Sequence, residues 1–559
     1  MSYKVSKFSQ NLITQVNKDQ RLLIKHFENF RSNNIVYLTN DDFKHGTYRI
    51  RDSGVYILKE DIIFHPNPEN DFFPTPQQIM SHQYPVDNGG AYFLGFFAAI
   101  TVETEDVVID FNGKSINQSD EHKLEQRFYA HIELASSPFI PNQGPGSFST
   151  VTTYNAANRT LICNGTMGKS SHHGIHGNGM TNIILDNLIF HDFEVAAVSL
   201  NGSINSILCN LDLLHNSQNV PILSPYSQAR FIRQFLNRLP KTAYLTVNGQ
   251  KRTLKMIKDN LNKALKKAKN EILNTGKTTD PLFNNKTKLP DGNAYGIVLA
   301  GTGVIINDFI RTRDSKNNNE NIFLKNIKIK NIITHPKEVI GINTCPEDDG
   351  AYGKKLQSGP AGDIIRIEEI TQNKSNLGVS NLVYKPNVLS DAQMIIAKYN
   401  TPKIGTTSIC NEIVKWVEEK GDLLSLMSSE SDHHSDDSED DENHFYFRNG
   451  FDSMGHTMKG NIGLFISGGH NIKGNRIVIE NIWTKGTEIG ESPLMENSPD
   501  KKLNGATATG FLTTCSHNID LNIRFNKINS EKSEELERKI YLIESDNIFI
   551  NKVEYYNNE

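Results

Sequence analysis

The feature that most restricts this chain is a short apolar cassette that returns along it. Residues 181–192 read TNIILDNLIFHD and residues 205–216 read NSILCNLDLLHN. Set 24 residues apart (181 against 205), Ile183 meets Ile207, Ile184 meets Leu208, Phe190 meets Leu214 and His191 meets His215. A period near that length fits one three-sided coil of a solenoid. The cassette returns as IFLKNIKIKNI (322–332), IVIENIW (477–483), LNIRFNKI (521–528) and IFINKVEY (548–555), with earlier versions in VVIDFNGKSI (107–116) and TLICNGTMG (160–168). A second signature, Gly followed seven residues later by Asn-Ile, starts at Gly174, Gly463 and Gly510, and reads as a corner glycine leading into the next strand.

These patterns predict short parallel strands stacked at about 4.8 Å per coil, with Ile, Val and Leu inward and Asn at tight corners. A single coil cannot bury its apolar face alone, so the repeats must stack. The competing reading is a β-sandwich, for which the Asn-Gly pairs Asn112-Gly113 and Asn164-Gly165 would serve as hairpin turns. The fixed offset favours an all-β, right-handed parallel β-helix, a three-sided solenoid of about ten coils with an N-terminal helical cap and two inserted excursions. At 559 residues the chain is too long for one ordinary compact domain, a limit that solenoids escape.

The expected organisation is a helical cap over 1–52, built on LITQVNKDQRLLIKHFENF, followed by β-helix over 53–221 with a first coil at SGVYILKEDIIF (53–64). A Lys- and Ala-rich helical insertion then loops out over 222–290, and β-helix resumes over 291–389. A second insertion spans 390–450, with a helix near CNEIVKWVEEKGDLLSLM and the acidic run SSESDHHSDDSEDDEN (428–443), before the last coils over 451–559. The acidic run cannot form a core. It reads as a surface loop or as a cation strip built on Asp432, His433, His434 and Asp436.

Composition excludes several classes. A net charge of -5 leaves no electrostatic footprint for nucleic acid. The N-terminal residues hold no apolar leader, and no run approaches the ~20 apolar residues of a membrane span. The five cysteines form no CxxC pair and read as reduced thiols, so a cytosol-like site of synthesis is expected. No P-loop, dinucleotide fingerprint, GxSxG elbow or HExxH is present.

On VVIDFNGKSI, NGTMGKSSHHGIHGNGMTNIILDNLIF and the later IVIENI cassettes, the chain resembles the pectin-lyase-like superfamily of right-handed β-helix proteins. The resemblance covers most of 53–559 outside the insertions. It implies polysaccharide lyases, glycoside hydrolases, glycan-binding spikes or inert structural proteins, and no one activity. The Asn-rich usage also looks like that of proteins from large DNA viruses, with packaging in a virion as the matching expectation. Oligomeric state is left open between a monomer and a homotrimer.

The densest polar cluster is SSHHGIHGNG (170–179) followed by HDFE (191–194). Its candidate catalytic residues are His176, Asp186, His191, Asp192 and Glu194, with His215 one coil on. A row of imidazoles and carboxylates supplies acid–base chemistry or holds a metal, and stacked polar corners are the plainer reading. GIHG (174–177) resembles the Gly-His-Gly of polygalacturonase-type glycosidases, but that family's paired aspartates and Arg-Ile-Lys tripeptide are not evident; Asp-Ile-Ile-Arg-Ile (363–367) is a loose echo. A second candidate site joins Glu347, Asp348 and Asp349 to Asp363 and Arg366, as a lyase would require, and would take Ca²⁺. Otherwise no cofactor is required. Tyr84, Tyr92, Phe93, Phe96, Phe97, Phe128, Tyr129 and Phe139 fall in loop segments and read as aromatics buried against the solenoid rather than sugar platforms.

Overall fold

The computed structural model describes residues 5–86, 92, 95–126, 129–134, 157–215, 236–237, 239–247, 249–275, 294–299, 319–334, 460–484, 507–514, 516–531, 537–543 and 545–557, with a few isolated residues and the short strands 286–288 and 338–340 besides. The chain is mostly β and its two large sheets are parallel, a β-helix-like arrangement. Among the described residues the first sheet has fourteen strands, with one antiparallel pair at its end (Asp546–Ile550 with Val553–Tyr555), and the second nine. In the first, Ile35–Leu38, Gly54–Leu58, Glu105–Asp110, Asn158–Met167, Thr181–His191, Ile207–Leu214, Phe323–Thr334, Gly469–Thr484, His517–Ser530 and Asp546–Ile550 follow one another in chain order. The second runs from Tyr48–Ile50 through Ala98–Val102, Ala130–Glu133, His173–Asn178, Ala196–Asn201, Ala294–Leu299, Gly460–Ser467 and Thr507–Thr514 to Glu537–Ile543.

Asparagine makes the corners. Asn164, Asn187, Asn210, Asn326 and Asn481 interrupt the long strands of the first sheet with φ between 51° and 61°, a left-handed conformation that Asn tolerates better than other side-chain-bearing residues. Their amides stack from coil to coil. Asn187 Nδ2 donates to Asn164 Oδ1 (3.0 Å), Asn326 Nδ2 to Asn210 Oδ1 (2.9 Å) and Asn481 Nδ2 to Asn331 Oδ1 (2.7 Å). Each bond ties one corner to the next.

The register corrects the period. Ile184 pairs with Ile207 and His191 with Leu214, so adjacent strands here are 23 residues apart, the separation that also joins Asn164 to Asn187. A one-residue slip exchanges the two faces of a strand. Leu213 is therefore inside and Leu214 outside, 38% exposed. His191 is not beside His215.

The glycine signature has a different cause from the corner expected of it. Gly174, Gly463 and Gly510, joined by Gly296, lie inside strands of the second sheet, and the following Asn182, Asn471 and Asn518 take the left-handed corner. A Cβ at Gly463 would sit 2.5 Å from Ile479 Cγ2, and one at Gly174 2.7 Å from Phe190 Cδ1. The glycines let this sheet close onto the large side chains of the first. Replacing Gly463 by Ala should lower stability by about 1–3 kcal/mol, the usual cost of overpacking a tight interior. An unchanged urea midpoint would show that Ile479 moves aside freely.

The helices of the N-terminal segment, expected as an end cap, pack against a flank of the first sheet. They are α1 (Gln10–Gln15) and α2 (Lys18–Glu28), and they lie lengthwise along that flank. Leu12, Val16, Leu23, Ile24 and Phe27 pack on Val55, Val108, Leu161, Ile184, Ile207 and Phe323, one residue from each of six successive coils. Polar anchors hold the same line. Asn11 Oδ1 accepts from Lys325 Nζ (2.6 Å), Gln20 Nε2 donates to the carbonyls of Ser206 (3.1 Å) and Asn321 (2.7 Å), and His26 Nε2 meets Asp106 (2.8 Å). The first strand is Ile35–Leu38, earlier than the coil expected at 53–64. Cys163 and Cys209 lie buried beneath the helices as free thiols, their pKa values raised by burial and then by nearby carboxylates.

The first insertion packs back on the body. Its helix (Leu254–Thr275) buries Ile257, Leu261, Leu265, Ala268 and Ile272, and Lys269 Nζ lies 3.3 Å from both Glu121 and Glu125 of the helix Asp120–Glu125. The helix expected at 410–427 and the acidic run with Asp432, His433, His434 and Asp436 lie outside the described residues.

Candidate functional site

Successive strands of the first sheet are followed in the chain by strands of the second, and several of these connections are long. The chain departs after Phe64, Gln118, Leu214, Thr334 and Thr484 and returns at Ala98, Ala130, Ala294, Gly460 and Thr507. His191 ends its strand, and Asp192 follows with φ 55°. That turn aims the carboxylate back at the ring, so Asp192 Oδ2 lies 2.9 Å from His191 Nδ1.

The hydrogen bond to His191 lowers the Asp192 pKa, and the charges of Lys123 and His215 act in the same sense. An ionised carboxylate on Nδ1 holds that nitrogen as N–H, which leaves Nε2 as an acceptor. With side chains 35% and 17% exposed, the pair is reachable from solvent. Gly168 makes room for it, because a Cβ there would fall 2.9 Å from His191 Cε1 and 1.9 Å from Asn117 Oδ1. Behind it, His131 Nε2 donates to the Gly168 carbonyl (3.1 Å) and Tyr129 OH bonds Nδ1 (3.1 Å). Burial pushes the His131 pKa down to about 4.

The other expected residues are dispersed. His215 is buried past its strand end against the Phe193 ring, centroids 5.2 Å apart, and reaches Asp192 through its charge. Glu194 is two residues beyond Asp192, half-buried. Asp186 is on the flank beneath the N-terminal helices, accepting from Asn210 Nδ2 (2.7 Å) and Cys209 Sγ (3.2 Å). His176 is fully buried on the second sheet, its Nδ1 2.8 Å from Glu133 Oε2, with the His173 ring stacked on it at 5.1 Å. Glu347, Asp348, Asp349, Asp363 and Arg366 lie outside the described residues, as do Phe93, Phe128 and Phe139. Tyr84, Tyr92, Phe96, Phe97 and Tyr129 are buried aromatics. Among the described residues no group of three or more His, Cys, Asp or Glu side chains is placed to hold a metal ion.

Beside the pair runs an open ladder. One outward row is Ser115, Thr166, Ile189, Asp212, Lys328, Val478 and Arg524; the next is His191, Leu214, Lys330, Glu480 and Asn526. Ile189 is 50% exposed. Sequence reading missed Ile189, Leu214, Lys123 and Gly168. The 23-residue register would have put the first two outside.

No protein-family model matches the chain, and no curated protein matches its sequence. Among solved structures it is similar to a candidate glycosyl hydrolase from Parabacteroides merdae ATCC 43184, at a TM-score of 0.22 and 11% identity over 36% of this chain and 81% of that one. It is also similar to PfbA, a surface adhesin of Streptococcus pneumoniae, at 0.27 and 8% over 92% and 68%. At these scores neither likeness enters the argument that follows. Among the described residues no helix is long and apolar enough to cross a membrane.

Proposed function

We propose that this chain is a right-handed, three-sided β-helix that serves as a structural, glycan-binding component of a surface or particle, with the ladder beside His191 as its binding face. The corner asparagines support three sides, since they divide each long strand of the first sheet in two. The observation that carries the function is the exposed ladder itself. Ile189 and Leu214 alternate with Thr166, Asp212, Lys328 and Lys330 on a straight, rigid lattice. Sugars present the same alternation of C–H faces and hydroxyls, and recognition sites for them pair apolar surface with a few placed polar groups.

The second reading, a polysaccharide lyase or glycoside hydrolase, rests on the His191–Asp192 pair as a general base. One experiment separates the two. The full chain is titrated with a panel of acidic and neutral polysaccharides, with and without Ca²⁺, while new reducing ends and unsaturated products are followed. Binding without cleavage is expected, with Ile189→Asp and Leu214→Asp each weakening it about tenfold, roughly 1.4 kcal/mol. Cleavage lost in His191→Ala would establish the second reading. No binding across the panel by well-folded protein would sink both.

A further inference from the structure

A different corner, where the second sheet hands the chain back to the first, carries chemistry of its own. Four successive coils turn there through the same pattern: Glu320-Asn321-Ile322, His470-Asn471-Ile472, His517-Asn518-Ile519 and Asp546-Asn547-Ile548. Each asparagine is left-handed, with φ of 55°, 55°, 59° and 54°. Asn518 donates to Asn471, and Asn547 Nδ2 donates to Asn518 Oδ1 at 3.1 Å. The residue before each asparagine is thereby held in line with its neighbours. Glu320 pairs with His470, His470 with His517, and His517 with Asp546. The row Glu–His–His–Asp stands on the outside, with Glu320 and His517 exposed and His470 and Asp546 half-buried.

We propose that His470 and His517 form a two-histidine surface site for a borderline divalent transition metal of the Zn²⁺ or Ni²⁺ class, with Asp546 as the positioning carboxylate. The argument is geometric. Strands at about 4.8 Å place two outward imidazoles side by side, and the two ring centroids are 6.4 Å apart. Metal–nitrogen bonds of about 2.0–2.1 Å bridge that gap after a small rotation of exposed side chains. Asp546 hydrogen-bonds His517 Nδ1. A carboxylate there fixes the tautomer and turns the Nε2 lone pair outward, the arrangement that supports histidine ligands in metal sites. Two imidazoles form a donor pair suited to Zn²⁺, Ni²⁺ or Cu²⁺ rather than to Ca²⁺ or Mg²⁺. The left-handed corners and paired strands hold the backbone, so binding has little ordering to accomplish. Water or a donor from outside the chain would complete the coordination.

The test is calorimetric titration of the full chain with Ni²⁺, and separately Zn²⁺, at pH 7.5. Saturable binding is expected in the wild type. His470→Ala and His517→Ala should each weaken this site at least tenfold. Asp546→Asn should weaken it by about tenfold, the lower end of the usual effect of a supporting partner. The double variant His433→Ala/His434→Ala accounts for metal held by the acidic run and should leave the site intact. Metal should also raise the melting temperature of the wild type and not that of His517→Ala, because the bound ion joins two coils. Binding and thermal shift retained in both single histidine variants would overturn the proposal, as would the absence of saturable binding in the wild type. Each named ligand is at least partly exposed, so its variants should fold, and an unchanged circular dichroism spectrum checks that.

Discussion

Lowering the pH from 7 toward 4 will unfold this protein, through histidines whose rings cannot accept a second proton. His122, His131 and His173 are buried, and burial is the first cause of a lowered pKa at each. The sign follows from which state binds more protons. Unfolded histidine titrates near 6.5, while folded His131 stays neutral down to about 4. Between those values the unfolded chain holds the extra proton, so stability falls as pH falls. Each such histidine contributes about 1.4 kcal/mol per pH unit in its window, and His131 alone about 3 kcal/mol across it. Local geometry agrees, for His131 gives its Nε2 hydrogen to a carbonyl and its Nδ1 is met by the Tyr129 hydroxyl. The carboxylates Asp106 and Asp192, with lowered pKa values, lose their contribution only at more acid pH. Urea midpoints at pH 7.5 and 5.0 measure the effect. Equal midpoints would mean that these rings are hydrated or paired when protonated.

The second large effect is expected at Arg230. Its side chain and that of Glu125 are 0% exposed, with Arg230 Nε 2.6 Å from Glu125 Oε2. Nη1 donates to the Glu125 carbonyl (2.8 Å) and Nη2 to that of Asp71 (3.1 Å), and the guanidinium lies 4.3 Å from the Phe73 ring centroid. Removing one partner of a buried ion pair leaves the other without its main compensating charge, at about 3–5 kcal/mol. Arg230→Ala should show a loss of that size. Arg230→Lys should recover little of it, because an ammonium lacks the planar fork that reaches two carbonyls while facing the carboxylate. Lys255→Ala, which breaks an exposed pair with Asp259, should change stability by less than about 1 kcal/mol. A loss at Arg230 no larger than that at Lys255 would show that water reaches Glu125 readily.

Much of the fold was legible because its determinants are local and repeated. The cassettes predicted parallel strands, and the strands Thr181–His191, Phe323–Thr334 and His517–Ser530 are where the apolar alternation put them. The repeated Asn-Ile marked true corners, since left-handed backbone is a property of the asparagine itself. What failed was phase. Aliphatic residues are interchangeable in the pattern, so offsets of 23 and 24 look alike, yet only one puts Leu213 inside. The glycines were misassigned for a related reason: what excludes a Cβ at Gly463 is Ile479, across the core. The place of the N-terminal helices was not legible either, because an amphipathic helix records that it has a partner and not whether that partner is an end or a flank. At the site, His191 and Asp192 are adjacent in sequence and meet. His176 and Asp186 are close in sequence but fall on different faces, and no local pattern reveals that.

The flank position of those helices has a consequence for biosynthesis. Asn11 is bonded to Lys325, 314 residues later. At about 5–20 residues per second, translation leaves the first helices without their farthest anchor for roughly 15–60 s. During that interval Leu12, Leu23, Ile24 and Phe27 have only part of the surface that will cover them, on a nascent chain whose coils arrive one at a time. These two helices are therefore among the last segments to be secured, a long-range closure that slows folding.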